Sequence, residues 1–461
     1  MTTPTVITLE TPTLGNRSYL AHDGTLAVVI DPQRDTDRID ELLEREGVRL
    51  AAVFETHVHN DYVTGGWSLA REHGAAYYVN AADEVSFERT GIHDGETVRV
   101  GGLQVTAVAT PGHTFTHLSY ALAGPDGAPL EAATAVFTGG SLLYGATGRP
   151  DLLGAEHTHE LAAHQHASAH RLADLLPAGA EVLPTHGFGS FCSAGSSADA
   201  GATSTIEHEQ QVNPVLTTGA AEWIEQVLDG LNAWPAYYAH MAPANAAGPT
   251  AADLSPVDAA DAVEVRRRLD AGEWVVDLRH RTAFAAGHAP GTLNFGLDGS
   301  FATYLGWLIP WGTPLTLVGD TPEQVAEAQR ELVRIGIERP AAQATGQPQQ
   351  WSDGPLASFP TATFADLAEV VRHRPVTVLD VRRSDEFAAR ALAGALNVPL
   401  HELGDRMAEV PAGEVWVHCA GGYRASVAAS LLAAHGRHPV AVDDPFDAAL
   451  ATDLDLVPAG A

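Results

Sequence analysis

Histidines repeatedly follow β-prone runs in the N-terminal part of the chain, and that pattern constrains its fold most. Leu50 to Phe54 is an apolar run leading into Glu55-Thr56-His57-Val58-His59-Asn60-Asp61-Tyr62 and then Val63-Thr64-Gly65-Gly66. Leu103 to Ala109 delivers Thr110-Pro111-Gly112-His113-Thr114, and the run Glu181 to Pro184 ends in Thr185-His186-Gly187. Ligand-type side chains just past strand ends are what a layered α/β domain presents. In extended backbone His57, His59 and Asp61 point to one side. Joined by His113 and His186 from other strand ends, they read as a metal centre rather than a polar turn.

Around these runs, strands alternate with helices to about residue 205. Thr5 to Leu9 and Thr25 to Ile30 are β-prone, while Asp35 to Glu46, Gly66 to His73 and Glu160 to Leu175 are helical. Ala135-Val136-Phe137 leads into Thr138-Gly139-Gly140-Ser141, and Gly148-Arg149-Pro150-Asp151 follows closely. Ser193 to Thr205 is rich in Gly, Ser and Ala and reads as a loop. Ala221 to Leu231 is a helix, and Ala242 to Pro256 an Ala- and Pro-rich linker. Beyond it a unit is written twice. Val275-Val276-Asp277-Leu278-Arg279, Phe284 and Gly291-Thr292-Leu293-Asn294 correspond to Val378-Leu379-Asp380-Val381-Arg382, Phe387 and Gly394-Ala395-Leu396-Asn397. The expected boundaries are therefore 1–205, a helical extension and linker over 206–255, a first copy over 256–355 and a second over 356–461. A 461-residue chain accommodates that at ~150 residues per domain.

The formal charge is -32, from 58 acidic and 26 basic residues, and every basic residue is arginine. Nucleic acid and anionic membrane surfaces would be repelled and are excluded as partners. Two cysteines, Cys192 and Cys419, do not make a disulfide framework, so a reducing cytoplasm is expected. The N-terminus has no basic and apolar leader pattern, and no stretch of ~18 apolar residues occurs to span a bilayer. A soluble, unprocessed protein is expected.

The second chemical signal lies near the C-terminus. Glu414-Val415-Trp416-Val417-His418 reads as a buried strand ending in Cys419-Ala420-Gly421-Gly422-Tyr423-Arg424, with a helix from Ala425 to Ala434. Loop amides curling around one point, a helix N-terminus and the Arg424 charge all favour a thiolate. The first copy reaches Gly319-Asp320-Thr321-Pro322 at the same place, with no cysteine, and is expected to be catalytically silent. Cys192, in Gly189-Ser190-Phe191-Cys192-Ser193, reads as a packed small residue, because nothing local activates it. The helix bearing His157, His159, His164, His166 and His170 reads as a solvated face, with His166 and His170 at metal-binding i,i+4 spacing.

The strand-end histidines, with the Pro-Gly-His-Thr and Gly-Arg-Pro-Asp segments, resemble the metallo-β-lactamase fold. Within it the likeness is greatest to glyoxalase II and the persulfide dioxygenases. The Cys419 loop, with Asp380-Val381-Arg382 and Ala393-Gly394-Ala395, looks like a rhodanese domain, Cys-x4-Arg favouring sulfur over phosphate transfer. The whole chain resembles fused persulfide dioxygenase–rhodanese proteins. That resemblance implies an αββα sandwich followed by two rhodanese-like α/β domains. It implies oxidation of a low-molecular-weight thiol persulfide to sulfite at a mononuclear metal, with Cys419 and Arg424 as catalytic pair and Ala420, Gly421, Gly422 and Tyr423 holding the transferred sulfur. Arg149 would clamp a substrate carboxylate, with an internal ion pair to Asp151 as its alternative. The metal, one Fe(II) per chain with zinc as alternative, would take His57, His59 and His113, and Asp61 and His186 would be a remnant second position. The implied partners are a small thiol persulfide, thiosulfate or sulfite, and further copies of the chain in a homo-oligomer. Two departures from the family pattern stand out: Tyr62 replaces a histidine and Gly140 the bridging Asp. They count against a binuclear hydrolytic centre. A zinc-dependent thioester hydrolase of glyoxalase II type and a metal-poor scaffold serving the sulfurtransferase are the alternatives.

Overall fold

Period-two alternation builds the first half of the protein. Val28 and Ile30, Ala52 and Phe54, Val105 and Ala107, Tyr120 and Leu122, and Ala135 and Phe137 share one interior between two sheets. Their neighbours Ala27, Val29 and Val53 face Ile39, Leu42, Leu43 and Leu69 on helices Asp37–Glu46 and Gly66–His73. On the far side, Val108, Ala121, Val136 and Val182 pack on Ala162, Ala169 and Leu172 of helix Thr158–Leu175 and on Trp223 of helix Ala220–Asp229. The layers are helix, sheet, sheet, helix, the expected αββα sandwich.

The computed structural model describes residues 4–194 and 203–457, so most of the Gly- and Ser-rich segment expected as a loop lies outside the described residues. The chain divides into two units, Met1–Asp253 with Val333–Ile337, and Leu254–Leu332 with Glu338–Ala461. In the first unit, one six-stranded sheet runs Thr5–Thr11, Asn16–His22, Leu26–Ile30, Arg49–Phe54, Ala76–Asn80, Thr90–Ile92. The other runs Ser204–Thr205, Glu181–Pro184, Ala133–Gly139, Leu118–Ala123, Leu103–Ala109, Thr97–Val100. Leu26–Ile30 pairs parallel with Arg49–Phe54, and Ala133–Gly139 parallel with Glu181–Pro184. Each pair thus ends together: His57 and His59 follow Arg49–Phe54 and His186 follows Glu181–Pro184, while His113 follows Leu103–Ala109.

One linker expectation is corrected. Residues 242–247 are not linker but part of helix Tyr238–Ala247. The buried Asn245 anchors it, its amide donating to His59 O and Tyr62 O, both at 2.9 Å, and accepting from Thr64 N at 2.8 Å.

The second unit holds two parallel sheets of matching topology. The first runs Leu293–Asn294, Trp274–Asp277, Leu315–Gly319, Ala342–Thr345; the second runs Leu396–Asn397, Thr377–Asp380, Glu414–His418, His438–Val442, Thr361–Ala362. The repeated residues do the same work in both. Arg279 and Arg382 fold back on Asp277 and Asp380 at 2.7 and 2.6 Å. Asn294 and Asn397 each donate to the two carbonyls of that Asp and Arg. Among the described residues no helix is long and apolar enough to cross a membrane.

Candidate metal centre and cysteine loop

Three histidines of the first unit hold one ring nitrogen by an oxygen and turn the other inward. His57 Nδ1 donates to Thr56 Oγ1 at 2.9 Å, since that hydroxyl gives its own proton to Asp31 Oδ2 at 2.7 Å. His113 Nδ1 donates to Arg149 O at 2.8 Å, leaving Nε2 buried and without a partner. His186 Nδ1 faces Asn16 Oδ1 at 3.1 Å and Asp61 Oδ2 at 3.2 Å, and its Nε2 lies 3.3 Å from His57 Nε2. An imidazole fixed in this way presents its free nitrogen to a metal.

His59 is held from the other side. Its Nε2 lies 2.9 Å from Tyr62 Oη, 3.2 Å from Glu55 Oε2 and 3.3 Å from Asp31 Oδ1, while the buried Nδ1 has no partner. Burial alone would lower its pKa, but the charges of Asp31 and Glu55 raise it to about 10. Burial would raise Asp31 too, yet His59 and the bonds from Thr185 and Thr56 bring it below the usual range; burial does raise Glu55. Two buried carboxylates therefore favour a cation at His59, whether a proton or a metal on Nδ1. Tyr62 is part of this outer shell, fully buried and donating to Asp31 O at 3.2 Å. By contrast, burial and the neighbouring histidines hold His57 well below its ordinary value, and burial and His186 bring His113 to about 3. Those rings are neutral, as ligands must be.

Ligand atoms of His57, His59 and His186 lie within 4.8 Å of one another, and so do those of His113, His186 and Cys192. His186 is thus common to two triads. The structure groups His57 and His59 with it, and places His113 beside His186 and Cys192. A metal ion fits this donor set of imidazole nitrogens and a sulfur. Asp61, held below the usual carboxylate range by His186 against the cost of burial, accepts from Asn16 at 2.8 Å and has a second, unpartnered oxygen.

Asp31, Asn16, Asn245 and Cys192 were not singled out from sequence as parts of a site. Asp31 had a local signal, an Ile-Asp-Pro strand end; its φ of 51° is a backbone conformation side chains rarely adopt. Its carboxylate takes hydrogen bonds from Thr56 N and from the hydroxyls of Thr56 and Thr185, tying the two sheets together at the site. Arg149 is spent internally. It pairs bidentately with Asp151 at 2.6 and 2.7 Å and donates to Phe191 O and Asn232 O, which is the ion-pair alternative. His166 and His170 lie 4.5 Å apart between centroids with their rings tilted at 37°, and no carboxylate or sulfur joins them in a ligand group among the described residues.

In the second unit, strand Glu414–His418 ends at Cys419, which is 2% exposed. Gly422 N donates to Cys419 Sγ at 3.1 Å, and helix Tyr423–Ala434 starts at the next residue. Gly422 has φ 92°, a conformation that other residues rarely adopt, and a Cβ there would press on the Asp443 carboxylate, so a substitution is strained. Arg424 pairs bidentately with Glu386 at 2.6 and 2.8 Å, while Ala420 and Gly421 are exposed. The copy without cysteine packs on this loop: Tyr423 donates to Gly296 O at 3.0 Å and Ser426 to Asn294 Oδ1 at 2.8 Å.

Residues 12–186 match the metallo-beta-lactamase superfamily model, and residues 363–444 the rhodanese-like domain model. A hydroxyacylglutathione hydrolase from Acidiphilium cryptum is 36% identical over 23% of this chain and 44% of its own length. The mitochondrial persulfide dioxygenase of Homo sapiens is 28% identical over 45% of this chain and 72% of its own. The chain spans about half the length of the first of these curated relatives, 44% and 54% for two hydrolases. A metallo-beta-lactamase crystal structure from Staphylococcus aureus subsp. aureus COL superposes with a TM-score of 0.66 at 26% identity, over 75% of this chain and 99% of that one. The chain joins a metallo-beta-lactamase domain, with persulfide dioxygenase and hydroxyacylglutathione hydrolase relatives, to a C-terminal rhodanese-like domain.

Proposed function

We propose that the protein handles sulfane sulfur, with Cys419 as its carrier and a metal centre in the first unit at which dioxygen would oxidise a low-molecular-weight thiol persulfide, giving sulfite and the free thiol. The observation that carries the reading is the hydrogen bond from Gly422 N to Cys419 Sγ, 3.1 Å long, at the start of a helix. A thiolate there attacks the outer sulfur of thiosulfate; the S–S bond breaks, sulfite leaves with the electron pair, and Cys419 becomes a persulfide. Attack on its terminal sulfur by an acceptor thiolate forms the new persulfide and returns Cys419. The loop amides and the helix N-terminus suit the negative sulfur at each stage, and Tyr423 and Arg424 hold the loop through Gly296 and Glu386.

In the first unit His57, His59, His113 and His186 would supply the ligands of the metal, Fe(II) in the first reading and zinc in the alternative. When bound, it supplies an electrophilic centre for the substrate sulfur and, as iron, redox chemistry. The protein's own part is to orient those rings through Thr56, Asn16 and Asp61 and to balance charge with Asp31 and Glu55. Coverage of 72% of the human persulfide dioxygenase supports oxidation. The higher identity of a hydroxyacylglutathione hydrolase, 36%, supports thioester hydrolysis as second reading.

Cys419→Ser is expected to abolish sulfur transfer from thiosulfate to a thiol and leave metal content unchanged; retained transfer would sink the carrier role. Oxygen uptake with glutathione persulfide decides the first unit's chemistry. Hydrolysis of an acyl-glutathione without oxygen uptake selects the second reading, and absence of bound metal from anaerobically purified protein leaves only a scaffold for the sulfurtransferase.

A further inference from the structure

Cys192 stands among metal-ligand atoms although its own sequence surroundings give no such sign. Its Sγ and ligand nitrogens of His113 and His186 lie within 4.8 Å of one another, and all three residues are 0% exposed. His113 Nε2 is the unpartnered nitrogen of the group, because Nδ1 is used on Arg149 O at 2.8 Å. One short antiparallel pairing, Thr147–Gly148 with Ser193–Ala194, fixes both partners, and Arg149 N donates to Cys192 O at 2.8 Å. The same backbone thus holds the cysteine by its carbonyl and the histidine by its ring.

Position 140 explains why a sulfur is useful here. A Cβ on Gly140 would lie 2.4 Å from His113 Cδ2, and one on Gly148 2.7 Å from His113 Nδ1. The ring fills the space between two glycines, so a carboxylate at 140 is excluded while His113 keeps this place. A ligand for the ion must come from elsewhere, and the buried thiol beside His113 and His186 is on hand.

We propose that Cys192 is a metal ligand of this protein, its thiolate joining His113 and His186 around a thiophilic divalent ion. The inference rests on the reading that the first unit binds a metal. Binding replaces the S–H proton, which leaves to solvent as the metal–sulfur bond forms, with no change of oxidation state. A mixed nitrogen and sulfur set suits zinc, cobalt(II) or ferrous iron better than magnesium or calcium.

The test uses the full chain carrying Cys419→Ser, so that Cys192 is the remaining thiol, stripped of metal and titrated with cobalt(II). A near-ultraviolet thiolate-to-cobalt charge-transfer band is expected to grow with binding. Adding Cys192→Ser should remove the band and weaken cobalt binding at least ~10-fold. Cobalt bound without the band, or with unchanged affinity after Cys192→Ser, overturns the ligand role and leaves His57, His59 and His186 as the site. Failure to bind cobalt at all overturns the metal reading and this inference together.

Discussion

His113 stands where it does because residues 140 and 148 have no side chains. Its ring lies against both glycines, with hypothetical Cβ distances of 2.4 and 2.7 Å. The absence of an acid at 140 was legible in the sequence as a missing ligand. That the space is taken by a histidine was not, because residues 113, 140 and 148 lie in separate loops and meet only once Leu103–Ala109 and Ala133–Gly139, which are not neighbours in their sheet, are in place. Putting the acid back is therefore not a repair. Gly140→Asp is expected to displace His113, cost ~1–3 kcal/mol of stability through overpacking, and lower metal content. Urea unfolding and metal analysis of the variant check this; a gain in metal at unchanged stability would contradict it.

At the scale of elements, what could be read was what is contiguous. Helix Gly66–His73 and strands Thr97–Val100 and Leu103–Ala109 were visible from their periodicity. The cysteine loop was visible because strand, loop and helix follow one another directly. The helix Tyr238–Ala247 was not, since Ala-, Pro- and Asn-rich composition suits a linker and only Asn245's distant partners show its purpose. Asn245 satisfies three backbone groups of the loop after His57, at His59, Tyr62 and Thr64. Asn245→Ala leaves them buried and unpaired, at a cost of ~1–3 kcal/mol, and frees the loop that orients His59. Metal affinity is expected to drop ~10–100-fold, as for other outer-shell partners. Thermal unfolding and zinc titration measure the two effects, and intact affinity in a folded variant would make the helix structural only.

For the molecule as a whole, the sequence showed its order of parts because each carries its own local pattern. The Asp-x-Arg and Asn pairs of the two copies make the same hydrogen bonds, so the repeat survives where the chemistry does not: Val318 pairs with Asp277 as His418 does with Asp380, which puts Gly319 in the place of Cys419. The charge of -32 also belongs to this scale. As pH falls, the net negative charge shrinks and self-repulsion is relieved. His418 acts in the opposite direction. It is fully buried, neither ring nitrogen is hydrogen-bonded, and it stacks on Phe446 at 5.5 Å. Burial lowers its pKa from 6.5 to about 4, with Asp380 opposing and Arg382 assisting. The unfolded chain takes its proton first, so stability is full above pH 6.5, falls as pH drops towards about 4, and is level below that. The loss amounts to roughly 3 kcal/mol in all, about 2 of it by pH 5. His418→Phe keeps an aromatic ring in the stack and has nothing to protonate. Urea unfolding of the second unit at pH 7 and pH 5 is expected to show that loss in the native protein and not in the variant, because the surface charge change is common to both and cancels. Equal pH dependence in the two proteins would place the acid sensitivity of this unit elsewhere.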